Sequence, residues 1–466
     1  MKRPPADLRE LAQAAWRAGV AAVDPCRCVA RTLARRRDLH PDSSSTLVVA
    51  VGKAAAAMMR GALPVARGLV LCPGGAAVTD LPGGVEVLAG GHPEPTARGI
   101  ENSRRIAAAV AALTRGETLL LLLSGGASSL LEVPGDGVSC DELIDAHRAL
   151  VASGAPIAAI NRVRCCLSAV KGGALAKLAE PARVCTLAVS DVVGDDPAAI
   201  GSAPTFPVAR DAREALEIIT RHSMQMPSGV LDHLGAMAHA AQVAASAAHP
   251  VAGGDSNAAV GPNAAAHANG SVDPSGAVDY EIVAGVGDAI DGAAAFLEAR
   301  GCHVSRRTLA LTCDTAAAAA EVAQQVGALL DRTEATGNVA AVRDHARSRA
   351  LQAWLAGGET TVRVPADCSG RGGRNLDLAA RLALALAGRE GFACAVAGTD
   401  GRDGSSRGAG AVIDGGSAGR AAAAGLALEK ALARFDTEPA LAASGDLLVT
   451  GPTGTNVGDL LVAVTA

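Results

Sequence analysis

Three observations on this 466-residue chain predict an α/β protein with mainly parallel strands. Short apolar runs alternate with longer Ala- and Leu-rich stretches of helical period. The runs are apolar almost throughout, as strands covered on both faces are. Each also ends in a polar turn marked by glycine, and open α/β sheets bind ligands outside the carboxyl ends of their strands.

In chain order, the first predicted strand is Leu47–Val51, which runs into Gly52-Lys53 and a helix over 54–63. The second, Leu119–Leu123, runs into Ser124-Gly125-Gly126-Ala127-Ser128-Ser129. The third, Val184–Val189, meets a turn carrying Asp191, Asp195 and Asp196. From about Ala236 to Val278 apolar periodicity lapses into Ala, Gly, Asn, His and Ser, which predicts a mobile insertion with a domain boundary near it. Its His239, His249 and His267 are too far apart for a compact metal motif. Beyond it a strand is predicted over 281–286, and helices over 288–300, 316–330 and 343–355, the last closed by Gly357-Gly358. A final apolar strand, Phe392–Ala397, leads to Gly398-Thr399-Asp400-Gly401-Arg402-Asp403-Gly404.

Composition narrows the function. A net charge of −5 gives no electrostatic pull toward nucleic acid, and two Trp, one Tyr and four Phe offer few stacking platforms. No apolar run approaches the roughly 18 residues that span a bilayer, and the N-terminus lacks an export h-region. No nucleic-acid or membrane partner is therefore expected, and a cytoplasmic location is. The 11 Cys show no paired CxxC spacing and read as reduced, buried or incidental thiols.

The turns carry the candidate chemistry. Lys53 opens a helix, where the helix dipole disfavours a cation unless an anion is near, although the sequence around it is not a P-loop. Ser124, Gly125, Gly126 and Ser128 form a candidate anion cradle, whose bland counterpart is a tight turn with a Ser cap. Asn161, Arg164 and Lys171 supply one basic cluster, and Arg371, Arg374 and Asn375 of the GRGGRN stretch a second. Asp191 with Asp195 and Asp196, and Asp400 with Asp403, are suited either to Mg²⁺ or to structural turns. Cations, glycine cradles and carboxylates at strand ends are the inventory of phosphoryl transfer. No complete G-x-G-x-x-G is present, which weighs against a nicotinamide enzyme.

The motifs LLLLLSGGASSLLEVP (119–134), SGAPIAAINRVRCCLSAVKGGALA (153–176) and LAVSDVVGDDPAAIGSAPT (187–205) resemble the N-terminal domain of class II glycerate 2-kinases. GGETTVRV (357–364), GRGGRN (370–375), GTDGRDG (398–404), GAGAVID (408–414) and TGPTGTNVGDLL (450–461) resemble their C-terminal MOFRL domain. VAVGKA (49–54) and GHPEPT (91–96) fit as well. The resemblance implies an N-terminal Rossmann-like α/β/α domain (1–235) and a C-terminal region (279–466) containing an α/β MOFRL domain (about 350–464), with the active site in the cleft between domains. It implies phosphorylation of D-glycerate on its 2-hydroxyl by ATP with Mg²⁺, a homodimer being left open, and it marks Lys53 and Arg374 as catalytic.

On that reading Asp191 serves as base or metal ligand, and Asp400, Asp403 and Glu359 are further metal candidates. The runner-up is an NAD(P)H-dependent hydroxypyruvate reductase, a name some relatives carry. Three positions depart from the family pattern: Ala203 where Gly is usual, Cys165-Cys166 in place of a more polar pair, and Cys313-Asp314 in place of Gly-Glu.

Overall fold

The computed structural model describes residues 7–75, 78, 80–247, 278–340, 351–365 and 368–466. The chain forms two compact units. The N unit comprises Val29–Ala188 and Asp195–Val283, and the C unit Met1–Cys28, Val189–Gly194 and Ala284–Ala466.

The first sheet contains β1 (Thr46–Val51), β2 (Gly68–Pro73), β3 (Val85–Gly90), β4 (Thr118–Leu123), β5 (Arg183–Val189) and β6 (Val278–Ala284). Its order is β3-β2-β1-β4-β5-β6. β1 pairs in parallel with both β2 and β4, with Val51 opposite Leu123 at the carboxyl ends. Every residue of β1 is buried, as its unbroken apolar run requires. The order reverses between β1 and β4, which makes their carboxyl ends the topological switch point where ligands bind in such sheets. The predicted turns at Gly52-Lys53 and Ser124–Ser129 therefore lie side by side.

The second sheet contains β7 (His303–Leu311), β8 (Gln352–Gly358), β9 (Phe392–Gly398), β10 (Gly410–Ile413), β11 (Leu447–Leu448) and β12 (Asp459–Thr465). Its order is β11-β10-β9-β12-β8-β7, and it is mixed: β7 and β8 are parallel, whereas β9 is antiparallel to both its neighbours. Apolar content identifies β9 as a central strand but carries no information on direction. Helix Arg374–Ala385 buries Leu376, Ala379, Leu382 and Ala383 in a core that includes Trp354 and Phe392. Each large side chain so buried contributes about 1.5–3 kcal/mol.

Several expectations are corrected. The predicted helix over 343–355 is in part strand β8, with Gly357-Gly358 completing the strand, while 341–350 lie outside the described residues. A short apolar run next to glycines cannot be assigned by periodicity alone, and pairing with β12 decides it. The predicted mobile segment begins too early, because helix Ser228–Ala247 carries residues 236–247, His239 among them. The rest of that segment up to 277, with His249 and His267, lies outside the described residues. The strand expected over 281–286 is β6, and it completes the first sheet.

Helix Leu8–Ala22 belongs to the C unit and not, as a 1–235 domain would have it, to the N unit. Trp16 anchors it there, 1% exposed, with Nε1 donating to the Ala397 carbonyl at 3.2 Å. No helix among the described residues is long and apolar enough to cross a membrane. The cysteines are free thiols, as expected, and most are buried.

Candidate active site

In the N unit the turn after β1 is built by backbone constraint. Gly52 has φ +124°, and a Cβ there would lie 2.2 Å from Ser124 Oγ, so glycine is required by conformation and by space. Ser124, 1% exposed, accepts from Ala54 N at 3.1 Å and approaches the Val51 carbonyl at 3.2 Å through the same Oγ. The Gly125 carbonyl accepts from Lys53 N at 2.8 Å. The hydroxyl of Ser124 and the carbonyl of Gly125 thus stitch two turns together, and Ser124 is corrected from cradle donor to scaffold.

The Lys53 side chain is exposed and enters no ion pair among the described residues. A Cβ on Gly126 would lie 3.2 Å from the His92 ring and 3.3 Å from Lys53 Cγ, so these two side chains converge over the glycine. His92 Nδ1 lies 3.0 Å from Ser129 Oγ. Burial, assisted by the Lys53 charge, pushes the imidazole down to about 4, and His92 is uncharged at neutral pH. His92 was not singled out from the sequence, although GHPEPT contained it.

Beside this turn Ser202 Oγ lies 2.9 Å from Ser128 Oγ and 3.1 Å from Asn161 Oδ1. Arg164 Nη1 is 3.5 Å from the same Asn161 oxygen. The neighbouring loop is held in left-handed backbone at Gly201, Ser202 and Ala203, with φ +60°, +60° and +55°. That accounts for the usual glycine at position 203, since a left-handed Ala costs roughly 1 kcal/mol. Cys165 and Cys166 are buried and their thiols are pushed up by burial, so they pack and do not react. Lys171 is corrected: it is 1% exposed and its Nζ is bonded to the buried Glu132, which removes it from direct ligand contact.

In the C unit Arg374 opens helix Arg374–Ala385 and is clamped on two sides. Nε and Nη2 donate to the two oxygens of Asp459 at 2.6 and 3.1 Å, and Nη1 donates to Glu359 at 2.6 Å. Burial opposes the charge, but Asp459 and Glu359 outweigh it and hold the guanidinium firmly protonated. Gly373 precedes it because a Cβ there would lie 2.3 Å from Asp403 Cγ.

Asp403 caps the helix: Oδ1 accepts from Asn375 N at 3.1 Å and Oδ2 from Leu376 N at 2.8 Å. It is 3% exposed, and burial pushes its carboxyl up to about 7 despite those two amides. Asn375, 1% exposed, joins the cap to Asp459 through Nδ2 at 2.9 Å. Asp403 and Asn375 therefore serve the helix start, and Asp403 also lines the cavity beside Arg374. Arg371 carries an exposed side chain turned toward Glu438, 3.7 Å away.

A cavity of about 640 Å³ in this unit is lined by Arg374, Asp400, Arg402, Gly373, Val362 and Phe435, among others. Asp400 is half-buried and accepts from Arg402 N at 2.9 Å. Asp191, also half-buried, lies 3.4 Å from Asn456 Nδ2 of the TGPTGTNVGDLL stretch, a residue the sequence reading passed over. No group of three His, Cys, Asp or Glu side chains among the described residues converges on a metal position.

Comparison with known proteins divides the chain by sequence at other bounds than its compact units, with residues 11–28 falling in the first matched family although they belong to the C unit. Residues 11–235 match the family described as Domain of unknown function (DUF4147), and residues 352–459 match the MOFRL family. A D-glycerate 2-kinase of Thermotoga maritima is 32% identical over 99% of both chains. A protein of Agrobacterium vitis, provisionally named a hydroxypyruvate reductase, is 35% identical over 89% of this chain and 97% of its own. The crystal structure of a glycerate kinase from Thermotoga maritima superposes with a TM-score of 0.79 at 31% identity, covering 99% of this chain and 100% of that one.

Proposed function

The chain belongs to the glycerate kinase family that joins a DUF4147 domain to a MOFRL domain, and on that premise we propose that it phosphorylates D-glycerate on the 2-hydroxyl with ATP. The observation that carries the reading is the pairing of the Lys53 turn with the Ser124–Ser129 turn at the switch point of the first sheet. An exposed cation without a counter-ion among the described residues, beside a glycine turn, suits a phosphoryl or carboxylate group.

The 2-hydroxyl oxygen of glycerate attacks the γ-phosphorus in line. The bond to the β–γ bridging oxygen breaks, ADP leaves, and the hydroxyl proton passes to Asp191. Lys53 and Arg374 stabilise negative charge on the transferring phosphoryl, each the kind of donor whose loss typically costs about 100- to 1,000-fold in rate. Arg374 is prepared for this by Asp459 and Glu359, which fix its fork in advance. Arg164, Asn161 and Ser128 take the glycerate carboxylate. The cavity beside Arg374 has room for nucleotide, with Val362 and Phe435 as an apolar wall.

The donor set fits Mg²⁺ in its usual nucleotide-bound form, in which one or two carboxylates act together with phosphate oxygens. Asp400 is the carboxylate for it, because Asp191 takes the proton, Asp403 is occupied by the helix cap and Glu359 by Arg374. When bound, Mg²⁺ would supply charge neutralisation on the phosphates.

A nicotinamide reductase is disfavoured because β1 ends in Gly52-Lys53-Ala54-Ala55-Ala56-Ala57, without the glycines that a dinucleotide pyrophosphate needs there. Incubation with ATP, Mg²⁺ and D-glycerate tests the proposal: ADP and 2-phosphoglycerate should form together. Oxidation of NADH by hydroxypyruvate without ADP release would replace the kinase with the reductase.

A further inference from the structure

Ser202 of the IGSAPT stretch has no part in the chemistry assigned above. It lies in the N unit beside the turn after β4 and is 0% exposed. Its backbone is left-handed at φ +60°, between Gly201 at φ +60° and Ala203 at φ +55°. Serine and alanine enter that region at a cost, so the surroundings must hold them there. Two glycine amides do so: Gly172 N donates to the Ser202 carbonyl at 3.2 Å, and Gly173 N to the Ala203 carbonyl at 2.8 Å. Gly201 is closely packed as well, because a Cβ there would lie 3.1 Å from Leu123 Cδ1 and 3.2 Å from Ala127 Cβ.

The held backbone aims the side chain. Ser202 Oγ donates to Ser128 Oγ at 2.9 Å and to Asn161 Oδ1 at 3.1 Å, sharing one proton between two oxygens. Ser128 stands in the switch-point turn, and Asn161 on helix Ile157–Leu167. The direction of donation decides what these two groups offer a ligand. Each accepts on the side of Ser202, which leaves the Ser128 O–H and both Asn161 Nδ2 hydrogens to donate elsewhere. Among the described residues no group accepts from Asn161 Nδ2. Arg164 Nη1, the other donor to Asn161 Oδ1, is more distant at 3.5 Å, so Ser202 has the firmer hold on the amide. A hydroxyl, an amide and a guanidinium that all present hydrogens suit a carboxylate.

We propose that Ser202 is a positioning residue for the carboxylate of the phosphoryl acceptor: its buried hydroxyl turns the oxygens of Ser128 and Asn161 inward, so that both present hydrogens to the anion. The ligand class is a small 2-hydroxy carboxylate, and the inference rests on the kinase reading above for glycerate as acceptor. Ser202 itself never touches substrate. Without it the Ser128 hydroxyl and the Asn161 amide are free to rotate, and a lone pair turned toward the carboxylate repels it.

The test measures D-glycerate and ATP kinetics, calorimetric binding of D-glycerate and urea unfolding for Ser202→Ala and Ser202→Gly. Both variants should raise KM and Kd for D-glycerate about three- to tenfold, with kcat and KM for ATP changed less than about twofold. They should differ in stability: glycine accepts the left-handed backbone that alanine resists, so Ser202→Gly should unfold at higher urea than Ser202→Ala. A merely structural brace would behave otherwise, with KM following stability and the glycine variant standing nearer wild type. In a Ser128→Ala, Asn161→Ala background, Ser202→Ala should add less than about twofold to KM, since it acts through those two groups.

Wild-type KM and Kd for D-glycerate in either folded variant would overturn the positioning role, as would an undiminished further loss in the doubly substituted background. If Ser202→Ala does not fold, Ser202→Gly decides alone. A wild-type protein that binds D-glycerate without phosphorylating it would sink the kinase reading only, and the Kd values of the variants would then decide this inference. A wild-type protein that does not bind D-glycerate would overturn both.

Discussion

Lys53 in the N unit and Arg374 in the C unit face opposite physical problems. Lys53 is exposed and has no ion-pair partner among the described residues, whereas Arg374 is two-thirds buried and held by Asp459 and Glu359. A lone exposed ammonium retains its full attraction for a ligand but little fixed geometry. A guanidinium clamped by two carboxylates has fixed geometry, with part of its charge already answered. The first suits capture and charge neutralisation, and the second suits a transition state whose position is known in advance.

The largest test of this contrast removes each cation. Lys53→Ala and Arg374→Ala should each lower kcat by about 100- to 1,000-fold. They should part company in stability: Lys53→Ala should leave Tm unchanged, and Arg374→Ala should lower it, because Asp459 loses its partner while remaining largely buried. Equal Tm values would show that the clamp is not structural. Next in size, Asp459→Asn should cost about tenfold in kcat by loosening the Arg374 fork, with KM for D-glycerate hardly changed.

Smaller effects separate scaffold from cradle within the N unit. Ser124→Ala should destabilise by about 1–3 kcal/mol in urea unfolding, since it strands the buried Ala54 amide, and kinetics should follow only through the fraction folded. Ser128→Ala should do the reverse, raising KM for D-glycerate about two- to fivefold at constant stability. Smallest of all is a pH effect at Asp403. Its folded value of about 7 lies above the ordinary carboxyl range, so the folded state binds the proton more tightly. The stability this contributes is fully present below about pH 4 and is lost as pH rises toward about 7. Asp403→Asn should flatten that slope in unfolding curves taken across the interval.

The sequence made the first sheet legible because strands buried on both faces are written as unbroken apolar runs, and β1, β4 and β5 were found that way. It obscured β8, whose Gly357-Gly358 looked like a helix stop. It hid the direction of β9, because apolarity is indifferent to pairing.

At the site, Lys53 and the glycine turns were readable from position at strand ends, whereas Arg374 stood out only within a basic glycine turn and its role came from the family resemblance. Their partners were not. Asp459 is 85 residues from Arg374, and Glu132 is 39 from Lys171, separations at which no local spacing rule operates. Ser124 and Asp403 carried the right chemistry in the right motifs and bond the backbone, while Asn375 bonds the Asp459 carboxylate, contacts that only burial and geometry can reveal.

Lys53 and Arg374 are each expected to be required for phosphoryl transfer to glycerate. Phosphorus NMR of a reaction containing ATP, Mg²⁺ and D-glycerate examines this requirement most directly, run in parallel with wild type, Lys53→Ala and Arg374→Ala. 2-Phosphoglycerate and ADP should form in equal amounts with wild type, and both signals should be lost in either variant. Absence of 2-phosphoglycerate from the wild-type reaction, or undiminished product from both variants, would contradict it.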